Sequence, residues 1–273
     1  MRGFFLLFVF GFLNISGILY ASDAEQKFQG FNLEGYTDTG DKSWDVKGET
    51  ADISGTKIKL SNVDANTYGE DKMNVTAKTG YIDQGSGNMR LEKDVVITSG
   101  DGSQLVTDSL DWDRDQDFVR TDDPVRITDA QFSATGKGME ARPGLKEAQI
   151  KKDVTVYVDT EPESTNDKIV TITADGPMVI DQAGSKAIFK DNVVARQGGR
   201  TLRADVMEVY FDQEMSQVNQ LICIGNVEIM QGENKTFAEK AVYDAQHQKI
   251  TLSGRPKMIF ITEGEGSIES FRD

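Results

Sequence analysis

The chain has 273 residues, 38% of them hydrophobic, with 30 Lys and Arg against 45 Asp and Glu for a formal net charge of −15. That apolar share can fill one large core or two modest ones, which excludes a disordered polyelectrolyte. The acidic surface repels nucleic acid and other anionic polymers, and a lone cysteine, Cys223, excludes an internal disulfide scaffold.

In chain order, Met1-Arg2-Gly3 and the apolar run Phe4 to Tyr20 predict a hydrophobic helix over residues 1–21. Cleavage after Ala21 would put Leu19 where small-x-small cleavage wants a small residue, and the run is at the lower edge of bilayer-spanning length. A cleaved signal peptide and a retained membrane anchor therefore both stand. Loss of the segment leaves 29 basic against 45 acidic residues, a charge of −16.

After residue 24 no run of ten residues has helical periodicity, and period-two alternation predicts a nearly all-β fold. One phrase recurs: an aromatic and an Asp, then an apolar residue six positions after the Asp. It reads Tyr81-Ile82-Asp83 to Met89, Trp112-Asp113 to Val119, Phe211-Asp212 to Val218, and Tyr243-Asp244 to Ile250. The Asp carboxylate is expected to accept backbone N–H groups just ahead and hold a reversal, with the aromatic packed beside it.

A second landmark is a polar pair before a β-rich stretch, as in Lys93-Asp94-Val95, Asp123-Pro124-Val125, Lys152-Asp153-Val154, Asp191-Asn192-Val193 and Gly225-Asn226-Val227. These valines are 30, 29, 39 and 34 residues apart. The long interval contains the polar stretch Asp159 to Lys168, from which residues 161–168 are read as a linker or long loop between β-segments 30–160 and 169–262. The tail 263–273 is expected to fray.

Chemistry-bearing motifs are sparse. Asp111-Trp112-Asp113-Arg114-Asp115-Gln116-Asp117 has carboxylates at alternate positions but lacks the Gly and terminal Glu of a calcium loop, so a turn is the expectation and no metal site is assigned. His247, the one histidine, has no second His or Cys partner for zinc and no serine triad, so it reads as an exposed turn residue. No spacing selects a carboxylate pair for glycoside hydrolysis, and no Gly-rich phosphate loop opens a helix. Cys223, in Leu221-Ile222-Cys223-Ile224, reads as a small buried strand residue. The expectation is a non-enzymatic protein without a cofactor.

Leu202-Arg203-Ala204-Asp205, Tyr210-Phe211-Asp212, Gly225-Asn226-Val227-Glu228-Ile229, Phe237-Ala238-Glu239, Ala241-Val242-Tyr243-Asp244 and Ile250-Thr251-Leu252-Ser253-Gly254-Arg255-Pro256 resemble the OstA-like domain of the LptA lipopolysaccharide-transport family. Trp44-Asp45-Val46-Lys47-Gly48, Ile58-Lys59-Leu60, Thr76-Ala77-Lys78-Thr79-Gly80-Tyr81, Lys93-Asp94-Val95-Val96-Ile97 and Leu105-Val106-Thr107-Asp108 resemble its LptC relatives. The resemblance spans about Phe31 to Phe260 and departs from the family pattern in carrying both kinds of segment in one chain.

It implies two consecutive flattened, V-shaped antiparallel β-jellyrolls with an apolar groove for the acyl chains of lipid A. Edge-strand pairing would link the chain, in the periplasm of a Gram-negative-type bacterium, to an inner-membrane ABC transporter and an outer-membrane translocon, and self-association could use the same edges. Nucleic acid is not an expected partner.

Groove residues can be assigned by strand parity only: Val95, Ile97, Val106, Leu110, Trp112, Val125, Ile127, Val154, Val156, Val193, Val227, Ile229, Phe237, Ile250 and Leu252. About half are expected to face inward, since alternation defines two faces without saying which is core. A structural β-repeat scaffold of the cell envelope, with a dry core and no lipid cargo, is the alternative. A β-helical carbohydrate-active enzyme is the weakest reading.

Overall fold

The computed structural model describes residues 25–69, 72–130, 132–159, 169–213, 215 and 217–261. The N-terminal hydrophobic segment, the 161–168 linker and the 263–273 tail lie outside the described residues. The first nine strands are β1 (Gln26–Tyr36), β2 (Lys42–Ser54), β3 (Lys57–Thr67), β4 (Met73–Asp83), β5 (Met89–Ser99), β6 (Gln104–Asp113), β7 (Phe118–Thr128), β8 (Phe132–Arg142) and β9 (Glu147–Asp159). The remainder are β10 (Ile169–Ala174), β11 (Met178–Asp181), β12 (Lys186–Gln197), β13 (Arg200–Phe211), β14 (Val218–Gln231), β15 (Asn234–Asp244), β16 (Lys249–Ser253) and β17 (Lys257–Ile259). A single 3₁₀ turn, Pro143–Leu145, is the one helical element among the described residues, and the fold is all-β and antiparallel as expected.

Apart from β10 with β11 and β16 with β17, each strand pairs with the next in sequence, giving one continuous meander. Twice a strand position is filled by two short strands. β10 and β11 share the place between β9 and β12, broken at Asp175-Gly176-Pro177. β16 and β17 share the far side of β15, broken at Gly254-Arg255-Pro256. Proline has no N–H for a ladder, so each break removes a bond the residue could not have made.

The recurring Asp is a turn device. Gly85 N–H donates to Asp83 Oδ1 at 2.9 Å, Gln116 N–H to Asp113 at 3.1 Å, Gln217 N–H to Asp212 at 3.3 Å and His247 N–H to Asp244 at 3.0 Å. Asp181 does the same for Gly184 at 2.7 Å, adding a turn whose flanking residue, Ile180, is not aromatic. Four residues after the Asp, positions 87, 117, 185 and 248 have positive φ, the left-handed step that returns the chain into the next strand.

The aromatics vary: Trp112 is buried, Phe211 and Tyr243 are half-buried, and Tyr81 is exposed.

The polar pair is a mid-strand bulge. The register shifts between Glu92 and Val95, Lys190 and Val193, and Ile224 and Val227, where Lys93-Asp94, Asp191-Asn192 and Gly225-Asn226 have positive φ. Asp, Asn and Gly tolerate this conformation best, and a bulge bends and twists the strand that carries it. Asn192 donates to Asp175 at 2.7 Å and Asn226 to Asp205 at 2.9 Å, tying neighbouring bulges along the crease.

The valine after each polar pair enters the interior: Val95 and Val193 are 0% exposed, Val154 and Val227 1%, and Val125 3%. No helical layer covers this face among the described residues, so the sheet must fold over itself to bury it. The resulting core runs from Met73 in β4 to Ala241 in β15, across β9 and β10 without interruption. A second, small cluster holds Val46, Ala51, Ile58, Leu60 and Val63 from β2 and β3. Edge strand β1 closes onto β2 through two close approaches: a Cβ on Gly35 would fall 2.2 Å from Trp44 Nε1, and one on Gly48 would fall 2.4 Å from Phe31 Cε1.

Candidate functional site

Ten of the fifteen parity-chosen residues meet in the main core: Val95, Ile97, Leu110, Trp112, Val125, Ile127, Val154, Val156, Val193 and Val227. Ile229 and Leu252 are partly buried against it.

Three stand apart. Val106 is 37% exposed on the outer face, between the buried Leu105 and Thr107. The register shift between Thr107 and Asp111 flips strand parity, so Val106 and Leu110, equal by counting, face opposite sides. Phe237 pairs with Glu228, while its neighbour Ala238 pairs with the buried Val227 and takes the inward position. Ile250 has Leu252's parity but is 56% exposed on edge strand β16, which no further strand covers among the described residues.

Parity also passed over large interior side chains, notably Leu105, Met139, Ile150, Met178 and Met207. The signal that reaches several of them is the bulge itself, which restarts the alternation at a known residue.

Beside the sealed core, space lies between the β1–β3 layer and β4–β7. A cavity of about 860 Å³ opens at the Asp-turn end, with Ile82, Met89 and Trp112 on its wall. The same three residues wall a narrow apolar slot of about 50 Å³ running between the two hydrophobic clusters, past Leu60, Val63, Gly80 and Leu91. As the layers stand, a slot of that volume admits only molecules of about water's size.

The cavity rim carries Lys27, Lys57, Lys59, Arg90 and Arg120 against Glu25, Asp52, Asp83, Asp111 and Asp113, a balanced ring on a strongly acidic protein. Arg90 grips Asp111 with its two oxygens at 2.8 and 2.9 Å, and Lys57 pairs with Asp83. Lys59 sits over the Tyr81 ring at 5.9 Å.

Local contacts also account for three of the four alternating aspartates at the end of β6 and in the turn after it. Asp111 binds Arg90, Asp113 holds its own turn, and Asp117 accepts Gly144 N–H at 2.6 Å. They point to three different partners, and among the described residues no three His, Cys, Asp or Glu side chains converge as metal ligands. His247 is an exposed turn residue with its Nδ1 2.9 Å from Asp244 Oδ2. Cys223 is buried, and burial pushes its thiol up to about 12, so it is inert.

At the opposite end, Asp45 is 1% exposed. It accepts from Lys42 at 2.6 Å, Tyr68 at 2.8 Å and Asn66 at 2.9 Å. Burial raises its pKa, but these donors override it and bring the carboxyl down to about 2. The network ties β2 to the end of β3.

Two sheet edges lack a strand partner among the described residues. β1 pairs with β2 alone and exposes Phe28, Leu33 and Tyr36. β16 and β17 pair with β15 alone, and the chain there exposes Ile250, Met258, Phe260 and Ile261.

Residues 19–159 match the family described as lipopolysaccharide-assembly, LptC-related. Residues 171–270 match the family described as LptA/(LptD N-terminal domain) LPS transport protein. A solved structure, LptH, described as the LptA homologous periplasmic component of the lipopolysaccharide transport device from Pseudomonas aeruginosa, is similar at 15% identity and a TM-score of 0.39, covering 48% of this chain and 95% of that one. No curated protein matches the chain.

Proposed function

The chain belongs to the lipopolysaccharide-assembly, LptC-related family, and from that premise we propose that it carries lipopolysaccharide across the periplasm of a Gram-negative bacterium. The lipid A acyl chains travel along the inside of the rolled sheet. The free edges β1 and β16/β17 pair with the inner-membrane ABC transporter on one side and an outer-membrane translocon component on the other, and Phe4 to Tyr20 tether the chain or direct its export. The work is transport and requires no covalent chemistry.

The observation that carries this reading is the combination of one apolar interior from Met73 to Ala241 with two unpaired sheet edges. Unpaired edges invite aggregation unless strand addition is their use. Each acyl methylene taken from water is worth about 0.8 kcal/mol, which offsets the cost of parting layers that otherwise pack on each other. The anionic head group stays outside, since a chain of charge −15 repels it except near local cations such as those of the cavity rim.

The sealed interior favours a second reading, a scaffold with a dry core, whereas the open edges oppose it. Photo-crosslinking separates them. Side chains at Val95, Val156 and Val227 should capture lipopolysaccharide in cells while the outward Val106 does not. Silence at all three interior positions would leave the scaffold.

A further inference from the structure

The two family-like segments, residues 19–159 and 171–270, meet where β9 gives way to β10. We infer that this meeting line is a fixed joint: the contact between the LptC-like and the LptA-like segment is built into the chain as a strand pair, and cargo crosses it with no binding or release step. The functional half of this inference rests on the transport reading above, and the structural half does not.

The joint is made as the rest of the sheet is made. Six residue pairs join β9 to β10, from Ile169↔Asp159 to Ala174↔Val154, and four join β9 to β11, from Met178↔Ile150 to Asp181↔Glu147. Two further backbone bonds flank them, Asp153 N–H to Asp175 O and Gln182 N–H to Lys146 O, both 3.1 Å. The left-handed Asp153 on β9 lies opposite the Asp175-Gly176-Pro177 break, so the crease passes through the joint in step.

The interior is no looser here. Ile150, Val154 and Val156 on one side and Ala174 and Met178 on the other are each 3% exposed or less. Two separately folded domains joined by a tether would instead show a polar or partly open seam.

The geometry of the connection agrees. Asp159 and Ile169, which flank residues 160–168, are paired with each other, so β9 and β10 stand at a separation that a two-residue turn can span. A hinge needs slack between its arms, and here the arms begin already in register. The free edges left for other proteins are then β1 at one end and β16/β17 at the other, so one chain fills two places in a bridge.

Two forms of the full-length protein test this. In the first, a protease recognition sequence is placed within residues 160–168 and cut after folding. The two fragments should co-elute in native buffer as one particle of unchanged size, and their separation would overturn the joint. In the second, residues 160–168 are replaced by Asn-Gly. This chain should keep a single unfolding transition and capture lipopolysaccharide at Val95 and Val227 to the same extent as the parent. Two transitions, or capture retained at Val95 and lost at Val227, would show that the segments need slack. Co-elution is read without lipid. If fragments stay together while no interior position captures lipopolysaccharide in any form, transport fails and the joint stands. If fragments part while the uncut chain still captures it, the joint fails and transport stands.

Discussion

The roll built by β4 to β15 and the layer built by β1 to β3 obey the same alternation but are held by different forces. In the roll the polar pairs of β5, β7, β9, β12 and β14 are each followed by a buried valine, and the interior residues form one cluster. In the layer, β1 is exposed along most of its length, the apolar cluster has five members, and a buried carboxylate with three donors anchors the end of β3. The roll is therefore stabilised by area removed from water, which is global. The layer depends on a local polar network and two aromatic-on-glycine contacts, and it borders the cavity and slot where the layers can part. With few buried apolar contacts, the layer is expected to open at lower free energy than the roll.

The largest expected effect is on the roll. Met139→Ala, at a 0% exposed position, should cost roughly 2–5 kcal/mol in global stability measured by denaturant unfolding. The matching Leu60→Ala in the small cluster should cost less globally and act mainly on hydrogen exchange in β1–β3. Equal global losses would mean that the two clusters unfold as one.

Next comes the polar anchor. Asp45→Ala takes one acceptor from Lys42 and Asn66, which keep Glu34 and Asp64, and the carboxylate partner from Tyr68, and should cost about 1.5–3 kcal/mol, seen as lost amide protection in β1–β3 with β5–β15 unchanged. The folded carboxyl sits below its ordinary value, so its contribution is present above about pH 4 and drains away as pH falls toward 2. Acid should therefore expose β1–β3 first, and Asp45→Ala should flatten that dependence.

The smallest effect belongs to the outer face. Val106→Asp should change stability by less than about 0.5 kcal/mol, since the side chain already meets water. A large loss would put Val106 inside and reverse the parity of this half of β6.

How much of this was legible beforehand follows from which interactions are local. The turns were, because an Asp carboxylate reaches N–H groups two to five residues ahead, as Asp83, Asp113, Asp212 and Asp244 all do. So was Cys223, buried in an apolar run. Interior positions were legible where a strand kept its alternation, as at Val95, Ile97, Val154 and Val156. They were misplaced at Val106 and Phe237, where a bulge reset the faces, and at Ile250, where no neighbouring strand arrived to cover the residue.

By itself, then, the amino-acid order determined an all-β chain, its repeating turn, the polar pair before each recurring valine and the resemblance to two families of lipopolysaccharide-transport proteins, since each rests on contacts within a few residues or on a repeated phrase. Only the tertiary structure decided that both segments share one sheet and one core, that Asp45 is buried among three donors, and which edges stay free. Those depend on residues such as Val154 and Ala174, or Asp45 and Tyr68, meeting across 20 or more positions of chain, and burial is settled by what arrives from elsewhere.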